Sequence, residues 1–114
     1  MGAANALFTL GCLYCTQSRN QEAEDCLNEA QRMYSLIGYD LGTGNALRSL
    51  GILCGDRHRY EEAQSFFCQA LSAFARGGSC VFRAKTLPAL AQIYLIRGNY
   101  LQAEESLHET LTIG

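Results

Sequence analysis

The chain has 114 residues, 48% of them hydrophobic and 18% charged, with a formal net charge of −2. That is one domain's worth of globular chain, long enough to remove about two thirds of its unfolded surface from water. The balance excludes the basic stripe of a nucleic-acid surface, and no apolar run nears the ~18 residues that would suggest a membrane span.

From the N-terminus, small or apolar residues fall at positions 3, 6, 7, 10, 11 and 14, the spacing of one helix face. Ser18-Arg19-Asn20 breaks that pattern, and Ala23, Leu27, Ala30 and Tyr34 mark a second helix. Gly38-Tyr39-Asp40 ends it: glycine suits the left-handed residue just past a helix, and Asp40 is expected to cap the third helix. Asp56-Arg57-His58 forms the next break. Ala63, Phe67, Ala70 and Phe74 give a fourth helix, closed by Gly77-Gly78 and followed by Ser79 as the expected cap of a fifth. Within that fifth helix Pro88 removes a backbone bond and crowds the carbonyl of Ala84, so a kink is expected near 84–88. Arg97-Gly98-Asn99 leads into a sixth helix through Ala103 and Leu107. Glu22, Glu24, Glu61, Glu62, Glu104 and Glu105 follow the inner turns, where they complement positive helix ends.

These elements repeat. NALFTLGCLYC at 5–15 and NALRSLGILCG at 45–55 share six of eleven letters. Asn5, Ala6, Leu7, Leu10, Gly11 and Leu13 return forty positions on as Asn45, Ala46, Leu47, Leu50, Gly51 and Leu53. A looser third copy has Leu87, Leu90, Ala91, Ile93 and Tyr94. A fixed period of this size marks a stacked repeat, in which no single unit can bury its own apolar stripe. Gly11 and Gly51 stand mid-helix, where glycine costs about 1 kcal/mol relative to alanine. They are expected to let the second helix of each unit come close, with Ala23, Ala63 and Ala103 as the facing surface.

The pattern resembles the tetratricopeptide repeat. Copy one carries Leu7, Leu10-Gly11, Tyr14, Ala23, Leu27 and Ala30; copy two, Leu47, Leu50-Gly51, Cys54, Ala63, Phe67 and Ala70; copy three, Leu87, Leu90-Ala91, Tyr94, Ala103, Leu107 and Thr110. The unit is forty residues rather than the usual ~34, with the surplus around Tyr34 to Leu41. In that respect it looks like arrays of kinesin light chain-type and polarity scaffolds, and of signalling NTPases of the NACHT and NB-ARC kind. HEAT and armadillo repeats have a similar length but lack this Gly/Ala ladder. The resemblance implies an all-α fold: a right-handed α-solenoid of about three helix–turn–helix repeats, with six antiparallel helices. It would form one domain over 1–114, with repeats of about 1–39, 40–79 and 80–114.

The resemblance also implies a protein–protein interaction scaffold, with no enzyme activity and no cofactor. Its partner would be a protein or peptide, with neither nucleic acid nor membrane involved. The alternative is a sensor or autoinhibitory region of a NACHT/NB-ARC-type signalling NTPase. In this family the first helix of each unit lines a concave groove. By register the groove residues are Asn5, Phe8, Thr9, Cys12 and Cys15, then Asn45, Arg48, Ser49, Ile52 and Asp56, then Lys85, Ala89, Gln92 and Ile96. Arg48, Lys85, Asn5 and Asn45 resemble parts of the family's carboxylate clamp but do not occupy its positions.

Six cysteines, at 12, 15, 26, 54, 68 and 80, lie mostly within helical patterns, which points to reduced thiols in a cytoplasmic protein. Cys12 and Cys15 have no second pair with which to hold a metal, and they lie toward the end of a helix that does not lower a thiol pKa. They read as packing surface. Asp56-Arg57-His58-Arg59, the densest charge cluster, reads as a solvated turn or a contact for an acidic partner. Leu107, Leu111 and Ile113 are expected to need a neighbour, so the chain is expected either to be a piece of a longer array or to self-associate.

Overall fold

Six helices follow in order: α1 (Gly2–Thr16), α2 (Asn20–Leu36), α3 (Asp40–Asp56), α4 (Tyr60–Arg76), α5 (Cys80–Ile96) and α6 (Tyr100–Ile113). The computed structural model describes residues 2–113, with Ile113 through its backbone only. The expected role of the Ile113 side chain, and Met1 and Gly114 of the expected domain, lie outside the described residues. Among the described residues there is no strand, and no helix is long and apolar enough to cross a membrane.

One turn is used five times. Ser18, Gly38, His58, Gly78 and Gly98 all take positive φ, between 60° and 79°. After each, the next amide donates to the carbonyl five residues back: Arg19 to Tyr14, Tyr39 to Tyr34, Arg59 to Cys54, Ser79 to Phe74 and Asn99 to Tyr94, at 2.8–3.0 Å. This is the Schellman closure of a helix end, which satisfies carbonyls that would otherwise lack donors. The carbonyl of the same residue then accepts the first bond of the next helix, as in Ala23 to Arg19 and Ala63 to Arg59. A single residue therefore ends one helix and begins another. The side chains across the closure also meet: Arg19 lies 4.3 Å over the Tyr14 ring, and the Tyr39 and Tyr34 rings are 5.7 Å apart.

Two expectations about caps divide. Ser79 does cap α5, its Oγ accepting from the Phe82 amide at 3.2 Å. Asp40 does not cap α3. Tyr39 holds the cap position without a side-chain bond, and Asp40 is the first helical residue, paired with Arg76 at 3.3 Å. The shared turn dictates this, because the residue after the left-handed one must be the cap. In α5 the helix begins at Cys80 and is helical on both sides of Pro88. The buried Thr86, two residues before it, satisfies its hydroxyl by donating to the Phe82 carbonyl at 2.7 Å.

Each helix packs on its chain neighbours. In addition α1 touches α3 and α3 touches α5, whereas among the described residues α2, α4 and α6 do not touch one another. The odd helices thus form the inner layer of a helical-repeat solenoid, and the even helices splay outside it. The core lies between the layers, with Ala23, Leu27, Ala30, Leu50, Ala63, Ala70 and Phe74 sealed from water.

Glycine governs how close the helices come, though not as the repeat pattern suggests. A Cβ at Gly11 would fall 2.7 Å from Leu27 Cγ, and one at Gly51 would fall 2.8 Å from Phe67 Cε1. The side chain filling each gap is therefore a large one, a turn beyond Ala23 or Ala63. Small opposes large rather than small opposing small. Two further glycines in α3 do the same work. Gly42 makes room for Tyr34 of α2, and Gly44 makes room for Phe74 of α4.

A candidate binding face on the odd helices

The inner layer carries two adjoining hollows. The first, of about 360 Å³, lies between α1 and α3 and is lined by Cys12, Cys15, Ser49, Ile52 and Asp56, together with Ser18, Asn20, Leu53 and Arg57. The second, of about 250 Å³, lies between α3 and α5 and is lined by Ile52, Asp56, Ala89, Gln92 and Ile96, with Gly51, Gly55, Tyr60, Phe67 and Ile93. Ile52 and Asp56 belong to both. Ile52 is 43% exposed at the middle of the layer, in the helix that packs on both sides and has the most buried residues.

Of the residues expected to form the groove, the structure gathers Cys12, Ser49, Ile52, Ala89 and Gln92 into these hollows, with Cys15, Asp56 and Ile96. The others line neither hollow. Asn5 accepts a hydrogen bond from the Tyr34 hydroxyl and so ties α1 to α2. Phe8 packs against the Ala4, Ala30 and Tyr34 cluster. Thr9 donates back to the Asn5 carbonyl at 2.9 Å. Asn45 and Arg48 are half-buried on α3, and Lys85 on α5 lies 5.7 Å over the Phe82 ring. Neither Arg48 nor Lys85 forms an ion pair among the described residues. Register alone could not find Gly55, which lines the second hollow beside Ile93, whereas Gly51, already marked by the repeat, lines it with its own gap filled by Phe67. Its i, i+4 spacing from Gly51 on one side of α3 is the signal for Gly55 that was available.

Burial pushes the thiol of Cys12 up, against a smaller opposing effect of the Ser49 hydroxyl. Cys15 is pushed up by burial and then by Cys12 and Asp56. Both are held as thiols, the less nucleophilic form. No three His, Cys, Asp or Glu side chains converge as metal ligands among the described residues.

The basic turn after α3 is occupied internally. Glu24 of α2 accepts from Arg57 at 3.2 Å and from Arg59 at 3.1 Å, and Arg59 also bonds Glu62. These bonds raise the Arg59 pKa beyond its already high value. His58 turns its Nδ1 to the Tyr60 hydroxyl at 2.6 Å. Forty residues on from Arg57, Arg97 donates to Gln64 at 2.6 Å. The turn is solvated as expected, with Asp56, Arg57 and His58 exposed, and its arginines in addition fasten one repeat to the next.

Comparison with known proteins places this geometry. The family model described as "Tetratricopeptide repeat" matches residues 2–76. No curated protein sequence gives a significant match. Among solved structures, aspartyl phosphate phosphatase F from Bacillus subtilis superposes with a TM-score of 0.92 at 15% identity, over 96% of this chain and 29% of that one. The TPR domain of Arabidopsis FLU gives 0.88 at 15% identity, over 97% and 93%. BtubC (BKLC) from P. vanneervenii gives 0.86 at 18% identity, over 96% and 45%. The chain thus spans under a third of the first of these proteins and under half of the third, and at such identities they share its fold.

Proposed function

The chain belongs to the tetratricopeptide repeat family, and on that premise we propose that its odd-helix face receives a segment of a partner protein. The observation that carries this reading is the pair of hollows meeting at the exposed Ile52. Two adjoining depressions, the second mostly apolar and the first of mixed lining around Ile52 and Leu53, suit two apolar side chains of one peptide or helix, lying across α1, α3 and α5. Arg48 and Lys85, free of ion pairs among the described residues, sit on α3 and α5 nearer the helix N-termini and suit an acidic residue beside those anchors. The alternative, a sensor region of a signalling NTPase, has the sequence resemblance behind it and no feature of this face.

Panning displayed peptides on the protein tests the reading. Binders are expected to share two apolar residues with a nearby Asp or Glu, and to shift the NMR methyl signals of Ile52, Ile93 and Ile96. Ile52→Glu is expected to weaken them at least ~10-fold, as for a central anchor residue. Binders that shift only α2, α4 or α6, or that tolerate Ile52→Glu, would overturn it.

A further inference from the structure

The two ends of the stack are unlike each other, and each resembles one half of a junction already present inside the molecule. α4 offers Ala63, Phe67 and Leu71 to α5, which covers them with Leu90, Ile93 and Tyr94. By the forty-residue period the α6 counterparts of the first three are Ala103, Leu107 and Leu111. They line an open apolar hollow of about 360 Å³ together with Leu95, Tyr100, Glu104 and His108. The α1 counterparts of the second three are Leu10, Leu13 and Tyr14. Burial shows the leucines of both half-junctions uncovered, while Ala103 is buried and Tyr14 half-buried. Leu13 is 48% exposed where Leu53 and Ile93 are each 5%, and Leu107 is 44% exposed where Leu27 is 0% and Phe67 is 2%.

We propose that these faces join copies of the chain head to tail, with α1 of one copy seated on α6 of another in the same register. Charge favours that occupant. Inside the molecule Glu24 receives Arg59, which is also held by Glu62. The position of Glu24 recurs as Gln64 and again as Glu104, which is exposed on the rim of the α6 hollow. The residue of a second copy that would meet Glu104 is Arg19, already held by Glu22 as Arg59 is by Glu62. The second polar contact also has a counterpart. Cys68 Sγ lies 4.0 Å from the Tyr94 hydroxyl, and the equivalent pair across the joint is His108 with Tyr14, a better hydrogen-bonding couple. A joint made of two different faces leaves one of each free at the ends of every assembly and extends by addition unless its rotation closes a ring. The odd-helix face would then run on from copy to copy.

Sedimentation of the whole chain from micromolar to millimolar concentration tests this. The mean mass is expected to rise without stopping at two. Leu13→Glu blocks only the α1 face and Leu107→Glu only the α6 face. Each variant alone is expected to be monomeric, and a mixture of the two is expected to give a species of twice the chain mass and nothing larger. Should either variant lose its helical circular dichroism, Glu104→Arg replaces it. That side chain is 68% exposed, and its reversal is expected to weaken association at least ~10-fold and to be rescued by Arg19→Glu on the other copy. A wild-type chain that stays monomeric across the range would overturn the proposal. So would a single blocked variant that still dimerises, since that requires a two-fold contact through one face.

Discussion

Replacing Gly44 and Gly55 by alanine, one at a time, should move stability in opposite directions although both lie in α3. A Cβ at position 44 would sit 2.5, 2.7 and 2.9 Å from three carbons of the Phe74 ring, where carbon atoms rest at about 3.5–4.0 Å. The ring would have to retreat by about 1 Å to restore that spacing. It is sealed from water and stacked on Phe82 at 5.3 Å, so α5 must move with it. Overlap of that depth belongs at the upper end of the ~1–3 kcal/mol cost of overpacking. Helix propensity returns about 1 kcal/mol, leaving a net loss of about 2 kcal/mol, or roughly 8 °C in Tm for a domain of this size. At position 55 the added methyl meets only Ile93 Cδ1 at 3.5 Å, an ordinary contact. There propensity dominates, and a gain of up to about 1 kcal/mol is expected. Urea unfolding followed by circular dichroism measures both, with the slope m unchanged if the unfolded states match. A neutral or stabilising Gly44→Ala, or two changes of the same sign, would refute the claim that glycine in α3 sets helix spacing through Phe74.

The left-handed turn residues offer a second contrast: His58→Gly is expected to stabilise by about 0.5–1 kcal/mol and Gly98→Ala to destabilise by about 1 kcal/mol, since only glycine adopts positive φ freely. Thermal melts decide it, and equal effects would count against φ as the cause. Pro88→Ala should raise Tm, because it restores a donor to the Ala84 carbonyl within a helix that already runs through the site and on an exposed face; an unchanged Tm would mean that carbonyl is already satisfied. Burial pushes the thiols of Cys12, Cys15 and Cys54 and the phenols of Tyr34 and Tyr94 upward. The unfolded chain therefore ionises first: stability is full below about pH 8.5 and falls as pH rises through the folded values. Urea midpoints at about pH 7 and pH 10 should show the drop, and a flat profile would contradict it.

Most of the fold was legible because the period is written in residues that pack. Leu50, Gly51, Ala63, Phe67 and Ala70 occupy positions whose burial follows from helical spacing, and the turn residues fell where they were expected. Other features could not be read because they depend on neighbours. Leu10 and Leu13 share letters with Leu50 and Leu53 yet stay exposed, since burial at those positions requires a preceding even helix. Gly44 is matched by Ala4 and Ala84, and the counterpart of Gly42 is Gly2, where an added Cβ would meet nothing within 4 Å, so repetition could not point to either as a spacing residue. The destination of Arg57 and Arg59 lies thirty-odd residues back at Glu24, a distance no local pattern spans. At the candidate site, register named eight residues that line the hollows and six that line neither, and it did not point to Gly55, Tyr60 or Arg57, whose places depend on the turn and on α5.

Every pair of helices in contact lies within two elements along the chain. Such locality makes for rapid folding, because few long loops must close before contacts form. It also grades the molecule in time. α6 holds on to α5 alone among the described residues, whereas α3 is gripped by α1, α2, α4 and α5. Amide exchange should therefore be quickest in α6 and slowest in α3 and α4, as openings spread inward from the ends. Ile52 sits at the slow centre of that gradient, so a visiting segment would meet a firm middle and breathing rims.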